Sequence, residues 1–375
     1  MDNMMIFFLL RISIILITLI CGYWYCKDTS KKYFLMVPIL LISLNEGLRF
    51  GRGTDYNVYY FNYQDIIHGY DVRSNEFLFT KLCELNDFLN LPYQGLVYFM
   101  SLILIVSGTL YLRNHKNIIP FALPLFMIFT IDAENLMRWF TAFSFLLIGV
   151  SYLEQDNVKK FVLFSVCAFL FHSGIIVIIP AYLLLYYIRR PFLRPLYSCI
   201  IYIAIYFFFK TSFMLEFVQY MNIFSGMTQF SGYVDNADEW LTGTANFEAQ
   251  KLNIGTVIMD LIVINLGYKI LDYKPKLIYV YNMCLIGTIL SPALNQIEIL
   301  YRICLLFKVF QFIIIAYSVY FFISNRCRPM IYSVLTWFVI LNLIRVHILN
   351  ILMEPYTSNS YLYVWDKMGR EVLFN

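Results

Sequence analysis

The stretch Phe161–Ile188, FVLFSVCAFLFHSGIIVIIPAYLLLYYI, sets the fold class of this chain. It is longer than the ~20 apolar residues that one helix needs to cross a bilayer. Its one ionisable side chain is His172. Lysines precede the stretch and arginines follow it, although positive residues favour a single face, the cytoplasmic one. The stretch therefore predicts a turn at His172–Gly174, which makes two short spans or a re-entrant hairpin with His172 at its apex.

Apolar runs recur along the whole chain. Of its 375 residues, 60% are hydrophobic and 14% are charged, whereas soluble domains are ~25% charged. Clear examples are the spans predicted at Tyr93–Leu112 and Arg138–Leu153. A β-barrel would show alternating segments of ~10 residues instead. The sequence predicts an all-α polytopic integral membrane protein, a single transmembrane domain over residues 1–375, with about 12 transmembrane helices or about 10 plus a re-entrant hairpin.

The composition also excludes several classes of protein. The net charge is +4, and no basic tail or aromatic–basic array indicates nucleic acid. None of the 8 cysteines forms a CxxC pair, and no DxD motif is present, so no disulfide framework, metal site or cofactor is indicated. The first apolar run, Met4–Cys21, lacks a basic leading segment and a small-residue cleavage site. It therefore predicts a first span and not a removed signal peptide.

The loops between the predicted spans alternate in charge. Every second loop is basic, through Lys27/Lys31/Lys32, Arg113/Lys116, Lys159/Lys160, Arg189/Arg190/Arg194, Lys269/Lys274/Lys276 and Arg326/Arg328. Basic loops mark the cytoplasmic side, which places both termini outside. The external segments then include 49–92, with an amphipathic helix at Asn75–Leu89 on the membrane surface, and 214–251.

The external segment Asn45–Tyr60, NEGLRFGRGTDYNVYY, carries unusual charge. Gly51 and Gly53 flank Arg52 and allow a tight turn with close approach of backbone amides to a ligand. Positive residues favour the cytoplasmic face, so arginine is unexpected on the external face. One guanidinium group can bind two phosphate oxygens at once through two parallel hydrogen bonds. A site for a lipid diphosphate is predicted. The substrate-binding candidates are Arg49, Arg52, Arg138, Arg302, Arg345 and Glu298.

Transfer of a sugar from such a lipid diphosphate, which is a glycosyl transfer, needs a base that deprotonates the attacking sugar hydroxyl. His172 titrates nearest neutrality, and Asp55 is the alternative base. A packing role for His172 is an equally open reading. External tyrosines, Tyr56, Tyr59, Tyr60 and Tyr63 among them, are candidates for stacking on sugar rings.

The order of four segments resembles the EpsG family of exopolysaccharide and O-antigen polymerases of the Wzy type. The segments are GRGTDYNVYY, NEFLFTKL, ENLMRWFTAFSFLLIGVSYLEQDNVKKFVLFSVCAFLFHSG and EILYR, between about residues 45 and 302. The resemblance implies a GT-C-like, multi-pass glycosyltransferase of the cell inner (plasma) membrane. It would join undecaprenyl-diphosphate-linked oligosaccharide repeats on the external face, with a chain-length regulator and a flippase as partners. The matching residues that take site roles are Arg49, Arg52, Asp55, Arg138, His172 and Arg302.

Two other functions fit the same features. A ligase or single-sugar transferase would use the same polyprenyl-linked donors. A flippase or transporter of the lipid-linked oligosaccharide should show two related halves and charges along a central cavity. No internal repeat is visible, and charges within the spans are scarce apart from Arg11.

Overall fold

The computed structural model of the chain describes residues 3–53, 55–70, 76–208, 253–295, 298–324, 329–353 and 363–365. Within these ranges the chain is helical and has no β-strand. Its helices are α1 (Asn3–Lys27), α2 (Tyr33–Gly47), α3 (Tyr56–Ile67), α4 (Phe77–Phe88), α5 (Tyr93–Leu112), α6 (Ile119–Phe129), α7 (Met137–Leu153), α8 (Val158–Phe171), α9 (Ile178–Tyr187), α10 (Pro195–Phe208), α11 (Ile254–Ile270), α12 (Ile278–Leu294), α13 (Glu298–Lys308), α14 (Gln311–Ser318) and α15 (Met330–Met353).

Several helices have the length and composition of membrane spans. Among the described residues, 5 stretches are long and apolar enough to cross a membrane: Met5–Lys27, Tyr93–Phe129, Pro275–Leu294, Leu300–Ser324 and Met330–Ile348. Large apolar side chains cover their outer faces, such as Leu16 of α1 and Leu341 of α15. Exposed apolar surface of this extent requires a lipid environment. The protein is an all-α membrane protein.

The predicted span boundaries agree with the helices in the first half of the chain. The span predicted at Tyr93–Leu112 has the bounds of α5, and α7 begins one residue before the predicted Arg138. Helix α8 ends at Phe171, and His172 has an extended backbone, with φ −152° and ψ 112°. The helix thus breaks where the sequence predicts a turn, and the division into two short spans or a re-entrant hairpin stays a prediction. The external loop predicted at 214–251 lies outside the described residues.

The chain divides into two compact units, and the first comprises residues 1–184 and 343–375. In this unit α5 packs against α2 and α7, α8 packs against α7, and α1 packs against α2 and α6. Gly47 allows the contact of α2 with α5, because a Cβ at this position would lie 2.7 Å from the Cβ of Tyr98. These contacts bring the end of α2 and the start of α7 into one region.

The segment 49–92 contains two short helices, α3 and α4, which pack against each other. Helix α4 lies within the predicted amphipathic stretch. It buries Phe79 and Cys83, whereas Phe77 and Phe88 are exposed, Phe88 by 80%. The exposed apolar face suits the surface of a bilayer.

The second unit comprises residues 185–342. Helix α12 packs against α10 and α13, and α11 packs against α14. A buried ion pair lies among these helices, with the Nζ of Lys308 2.8 Å from an oxygen of Asp260. Gln311 and Tyr202 also donate hydrogen bonds to this carboxylate, at 2.8 and 3.0 Å. The second unit is therefore cross-linked internally by its own polar network.

Candidate functional site

Charged side chains from α1, α2, the turn after α2 and the turn before α7 meet in the first unit. We call this group the arginine cluster: Arg11, Glu46, Arg49, Arg52 and Glu134. Arg52 donates to Glu134 at 2.7 Å and to Glu46 at 2.8 Å. Arg11 approaches the same two carboxylates at 2.5 and 3.3 Å. Each carboxylate therefore bridges two guanidinium groups, as a buried ion network requires.

The glycines around Arg52 explain how its side chain enters the cluster. Gly51 and Gly53 have φ of 65° and 102°, the left-handed region that glycine adopts without strain. A Cβ at Gly53 would also lie 2.9 Å from the carbonyl oxygen of Glu134. The turn thereby packs directly on the segment before α7. The side chain of Arg52 is 0% exposed as a result.

The cluster has an excess of positive charge, which lies at Arg49. Three guanidinium groups face two carboxylates. The nearest carboxylate oxygen to Arg49 belongs to Glu46 at 4.0 Å, and the Nε of Arg49 has no hydrogen-bond partner within the described part of the chain. Arg49 is only 2% exposed. A buried cation whose ion-pair partner is 4.0 Å away is stabilised by an additional anion beside it.

A small pocket with a cavity volume of about 40 Å³ opens beside Arg49. Its polar wall contains Arg11, Glu46, Arg49, Ser101, Thr130 and Glu134. Its apolar wall contains Ile42, Leu104, Ile105, Met127 and Ile131. The pocket therefore combines a charged end with an apolar wall.

Aromatic rings cover the arginine cluster. The Phe7 ring centre lies 4.6 Å from the Cζ of Arg52, and that of Tyr363 lies 5.4 Å away. The backbone of Tyr363 pairs with that of Arg49 in an isolated β-bridge. The Tyr363 hydroxyl donates a hydrogen bond to the side-chain oxygen of Asn45 at 2.8 Å. Ring faces attract guanidinium groups, most strongly where water is excluded. The rings thus shield Arg52 from solvent.

A second group, which we call the histidine cluster, consists of Glu76, Arg138 and His172. They lie at the start of α4, the start of α7 and the end of α8. The Nδ1 of His172 contacts Oε1 of Glu76, and Arg138 donates to Oε2 of the same carboxylate at 2.9 Å. The Trp139 ring meets the imidazole edge-on, with ring centres 5.3 Å apart.

The environment keeps the Glu76 carboxylate ionised. Burial raises its pKa, but the contacts with His172 and Arg138 outweigh burial, so the net pKa is lowered. Glu76 is 6% exposed, whereas the side chain of His172 is 23% exposed. The Nε2 of His172 makes no hydrogen bond within the described part of the chain. The imidazole therefore has one anchored nitrogen and one that a substrate hydroxyl can reach.

A family model described as the EpsG family matches residues 32–358. The chain belongs to the EpsG family. No curated protein and no solved structure matches the chain. The whole histidine cluster of this EpsG-family protein lies within the matched residues. In the arginine cluster and its aromatic cover, three residues lie outside the match, although each contacts a residue inside it: Arg11, Phe7 and Tyr363.

The predicted site residues of this EpsG-family protein fall into separate sets. Arg49 and Arg52 are in the arginine cluster, and Arg138 and His172 are in the histidine cluster. Asp55 precedes α3, where its backbone N–H donates to the side-chain oxygen of Asn135 at 2.8 Å.

The remaining candidates lie on α13 and α15. Arg302 is part of α13 in the second unit. Glu298 begins the same helix, and its side chain lies outside the described residues. Arg345 is on an exposed position of α15. Their proposed contact with a substrate stays a prediction.

Three of the tyrosines predicted to stack on sugar rings are buried. Tyr56, Tyr59 and Tyr63 are 4%, 7% and 3% exposed. Their spacing places them on one face of α3, which packs inward. The stacking prediction is wrong for these three because their rings form the core beneath α3. Tyr60, on the adjacent face, is partly exposed.

Sequence reasoning missed Glu76 and the partners of Arg11. Glu76 stands in the NEFLF segment, but its partner His172 is 96 residues away. Arg11 stands alone in an apolar helix, and its partner Glu134 is 123 residues away. An ionisable residue within a span is a functional signal in itself, so Arg11 carried a usable signal.

Proposed function

We propose that this protein is a polysaccharide polymerase that joins undecaprenyl-diphosphate-linked oligosaccharide repeat units on the external face of the inner membrane. The family supports the general class, a polysaccharide polymerase type of membrane protein. One observation supports the chemistry: in the histidine cluster, a partly exposed imidazole, whose Nε2 makes no hydrogen bond among the described residues, is anchored beside an arginine.

In the proposed reaction, His172 is the base. The acceptor is the non-reducing sugar of a fresh lipid-linked repeat. Its hydroxyl oxygen attacks the anomeric carbon of the growing glycan while its proton passes to Nε2 of His172. The bond from that carbon to the lipid diphosphate breaks, and the diphosphate leaves with the electron pair. The imidazolium then loses its proton to solvent, which restores the base.

The arginines have different roles in this proposal. Arg49 binds a diphosphate oxygen from the pocket, because its charge is the least compensated in the arginine cluster. Arg138, beside the base, stabilises the negative charge that develops on the leaving group. Arg52 holds Glu46 and Glu134 in place.

The proposal extends to topology. The alternation of basic loops supports about 12 spans with both termini external, in a GT-C-like arrangement. That orientation puts the NEGLRFGRGTDY segment and His172 on the external face, where lipid-linked repeats are polymerised.

Reconstitution of the purified protein tests the proposed function. Liposomes containing the protein receive undecaprenyl-diphosphate-linked repeats, and the products are separated by length. A polymerase gives a ladder of several repeats. A single addition identifies a transferase or ligase, and transbilayer movement without any product identifies a flippase; either result overturns the proposal. His68→Gln is a matched control for a histidine variant, since His68 is exposed and contacts its own helix at Gln64.

A further inference from the structure

Glu76 contacts both other members of the histidine cluster, although the proposed reaction gives it no role. One carboxylate oxygen contacts Nδ1 of His172, and the other accepts a hydrogen bond from Arg138 at 2.9 Å. Glu76 itself stands at the start of α4, whereas its two partners belong to α8 and α7. The carboxylate thus connects the proposed base to the neighbouring cation.

We propose that Glu76 is the positioning residue of His172: it holds the ring proton on Nδ1 and leaves Nε2 free to accept the proton of the acceptor hydroxyl. This inference rests on the proposed function. An ionised carboxylate can only accept hydrogen bonds, so its contact with Nδ1 requires the N–H on that nitrogen. A neutral imidazole has a single N–H, and Nε2 is then the basic atom.

The surroundings of the ring support this orientation. Trp139 lies edge-on to the imidazole on one side. Gly174 lies close to the open nitrogen, and a Cβ there would be 3.4 Å from Nε2 and 3.0 Å from the Trp139 ring. A larger residue at this position would crowd the approach to Nε2. The structure therefore restrains the Nδ1 side of the ring and leaves the Nε2 side accessible.

Arg138 restrains the carboxylate in turn. Its hydrogen bond to Oε2 fixes the plane of the Glu76 carboxylate, so Oε1 stays directed at Nδ1. When His172 receives the hydroxyl proton, the imidazolium keeps its Nδ1 proton and is stabilised by the carboxylate, which is not itself protonated. The proton count is unchanged from the proposed reaction: one proton moves from the sugar hydroxyl to Nε2.

A different reading gives Glu76 a role in folding only, as the anchor of α4 to α7 and α8. Both readings predict a loss of activity when Glu76 is removed. They differ in which nitrogen of the His172 ring carries the proton. They also differ in whether the losses of kcat caused by substituting Glu76 and His172 add up in the double variant. Those two quantities are the useful measurements.

The first measurement is ring nitrogen-15 NMR of the full-length protein in nanodiscs with labelled histidine. The chain has 4 histidines, so His172→Gln assigns the signal by its disappearance. We expect the Nδ1–H form for His172 in the wild type and a mixture of both neutral forms in Glu76→Gln. The Nε2–H form in the wild type would overturn the inference. Because this readout requires no turnover, it is independent of the proposed function.

The second measurement is kinetic. Glu76→Gln keeps the size of the side chain and removes its charge, and we expect kcat to fall about 100-fold with KM within about threefold, since the missing stabilisation acts in the transition state. Glu76→Asp, which keeps the charge, should recover about a tenth of the wild-type kcat. Glu84→Gln is the matched control on α4, where Glu84 makes only an exposed pair with Lys81. It should match the wild type.

The double variant Glu76→Gln/His172→Gln separates positioning from folding. If Glu76 acts through His172, the double variant has the kcat of His172→Gln alone. Additive losses, or an unchanged kcat in Glu76→Gln, would overturn the inference while leaving polymerisation by the wild type intact. Absence of polymerisation by the wild type would instead contradict the proposed function.

Discussion

The arginine cluster and the histidine cluster lie in the same unit and both pair arginine with glutamate, but they differ in how their charges are compensated. In the first, Glu46 and Glu134 each bridge two arginines, and Arg52 is fully buried. In the second, one carboxylate anchors one arginine and one partly exposed imidazole. The first arrangement holds segments together, and the second leaves a reactive atom open.

The comparison teaches that an arginine in a segment predicted to be external is not by itself an anion site. The charge of Arg52 is matched by carboxylates that are 6 and 82 residues away in the sequence. Arg49, only three positions earlier, has a single carboxylate oxygen at 4.0 Å. We expect the surplus charge, and not the number of arginines, to mark the place where an anion binds.

The largest expected effect comes from breaking the bridge at Glu134. Glu134→Gln leaves Arg11 and Arg52 short of a buried negative charge, and we expect the free energy of unfolding to fall by about 3–5 kcal/mol. The melting temperature in detergent and the amount of folded protein in membranes both report the loss. Glu84→Gln, on the exposed face of α4, should melt like the wild type. Equal melting temperatures for the Glu134 variant and the wild type would contradict the bridging role.

The next effect concerns Arg49. Arg49→Gln should raise KM for the lipid-linked donor about 10- to 100-fold, because a hydrogen bond to a charged group contributes ~1.5–3 kcal/mol. The melting temperature should change little, since the one ion pair of Arg49 among the described residues is long. Initial rates at increasing donor concentration give the result. Arg113→Gln, at an exposed position beyond α5, is the control, and an unchanged KM in Arg49→Gln would remove Arg49 from the site.

A smaller effect is the pH dependence of stability due to Glu76. Its pKa in the folded protein is below its ordinary value of 4.5. The stabilisation is therefore complete above the ordinary value and is lost as the pH falls through the lower folded value. The relevant range is about pH 5 to pH 3, which the ordinary carboxyl pKa sets. Over this range the melting temperature of the wild type should fall further than that of Glu76→Gln. Parallel curves would show that Glu76 is not stabilised by its partners.

The smallest effect is expected at Asp55, the other residue that the sequence offers as base. Asp55 belongs to neither cluster, and its backbone N–H is bound by Asn135. Asp55→Asn should keep kcat within about threefold of the wild type, far from the ~100-fold or greater loss expected for a general base. A loss of that larger size would transfer the role of base from His172 to Asp55.

Local features were predictable from the sequence. Apolar runs gave α5 its bounds at Tyr93–Leu112, and the basic flanks of Phe161–Ile188 predicted the break at His172. Both depend on residues close in the chain and on the cost of charge in a bilayer. The burial of Tyr56, Tyr59 and Tyr63 was also predictable in principle, because their spacing matches one helix face.

The pairing of charges was not predictable. Arg52 and Arg49 look equivalent in the sequence, and only the packing of α1 and α7 near the turn decides which carboxylates reach each of them. The same holds for Glu76, whose partners come from α7 and α8. Such contacts depend on how distant helices pack, which a single sequence specifies only through the whole fold.

The most direct test of the account compares His172→Gln with the wild type in one purified preparation, measuring both polymerisation and melting temperature. The account predicts that kcat falls by about 100- to 10,000-fold, the range for a general base, while the protein stays folded and the lost contact with Glu76 lowers the melting temperature by at most about 4 °C, the upper end of the shift for 1 kcal/mol in a domain of roughly 150–250 residues. A variant that melts like the wild type and still polymerises at the wild-type rate would contradict the central claim that the open imidazole of the histidine cluster performs the chemistry.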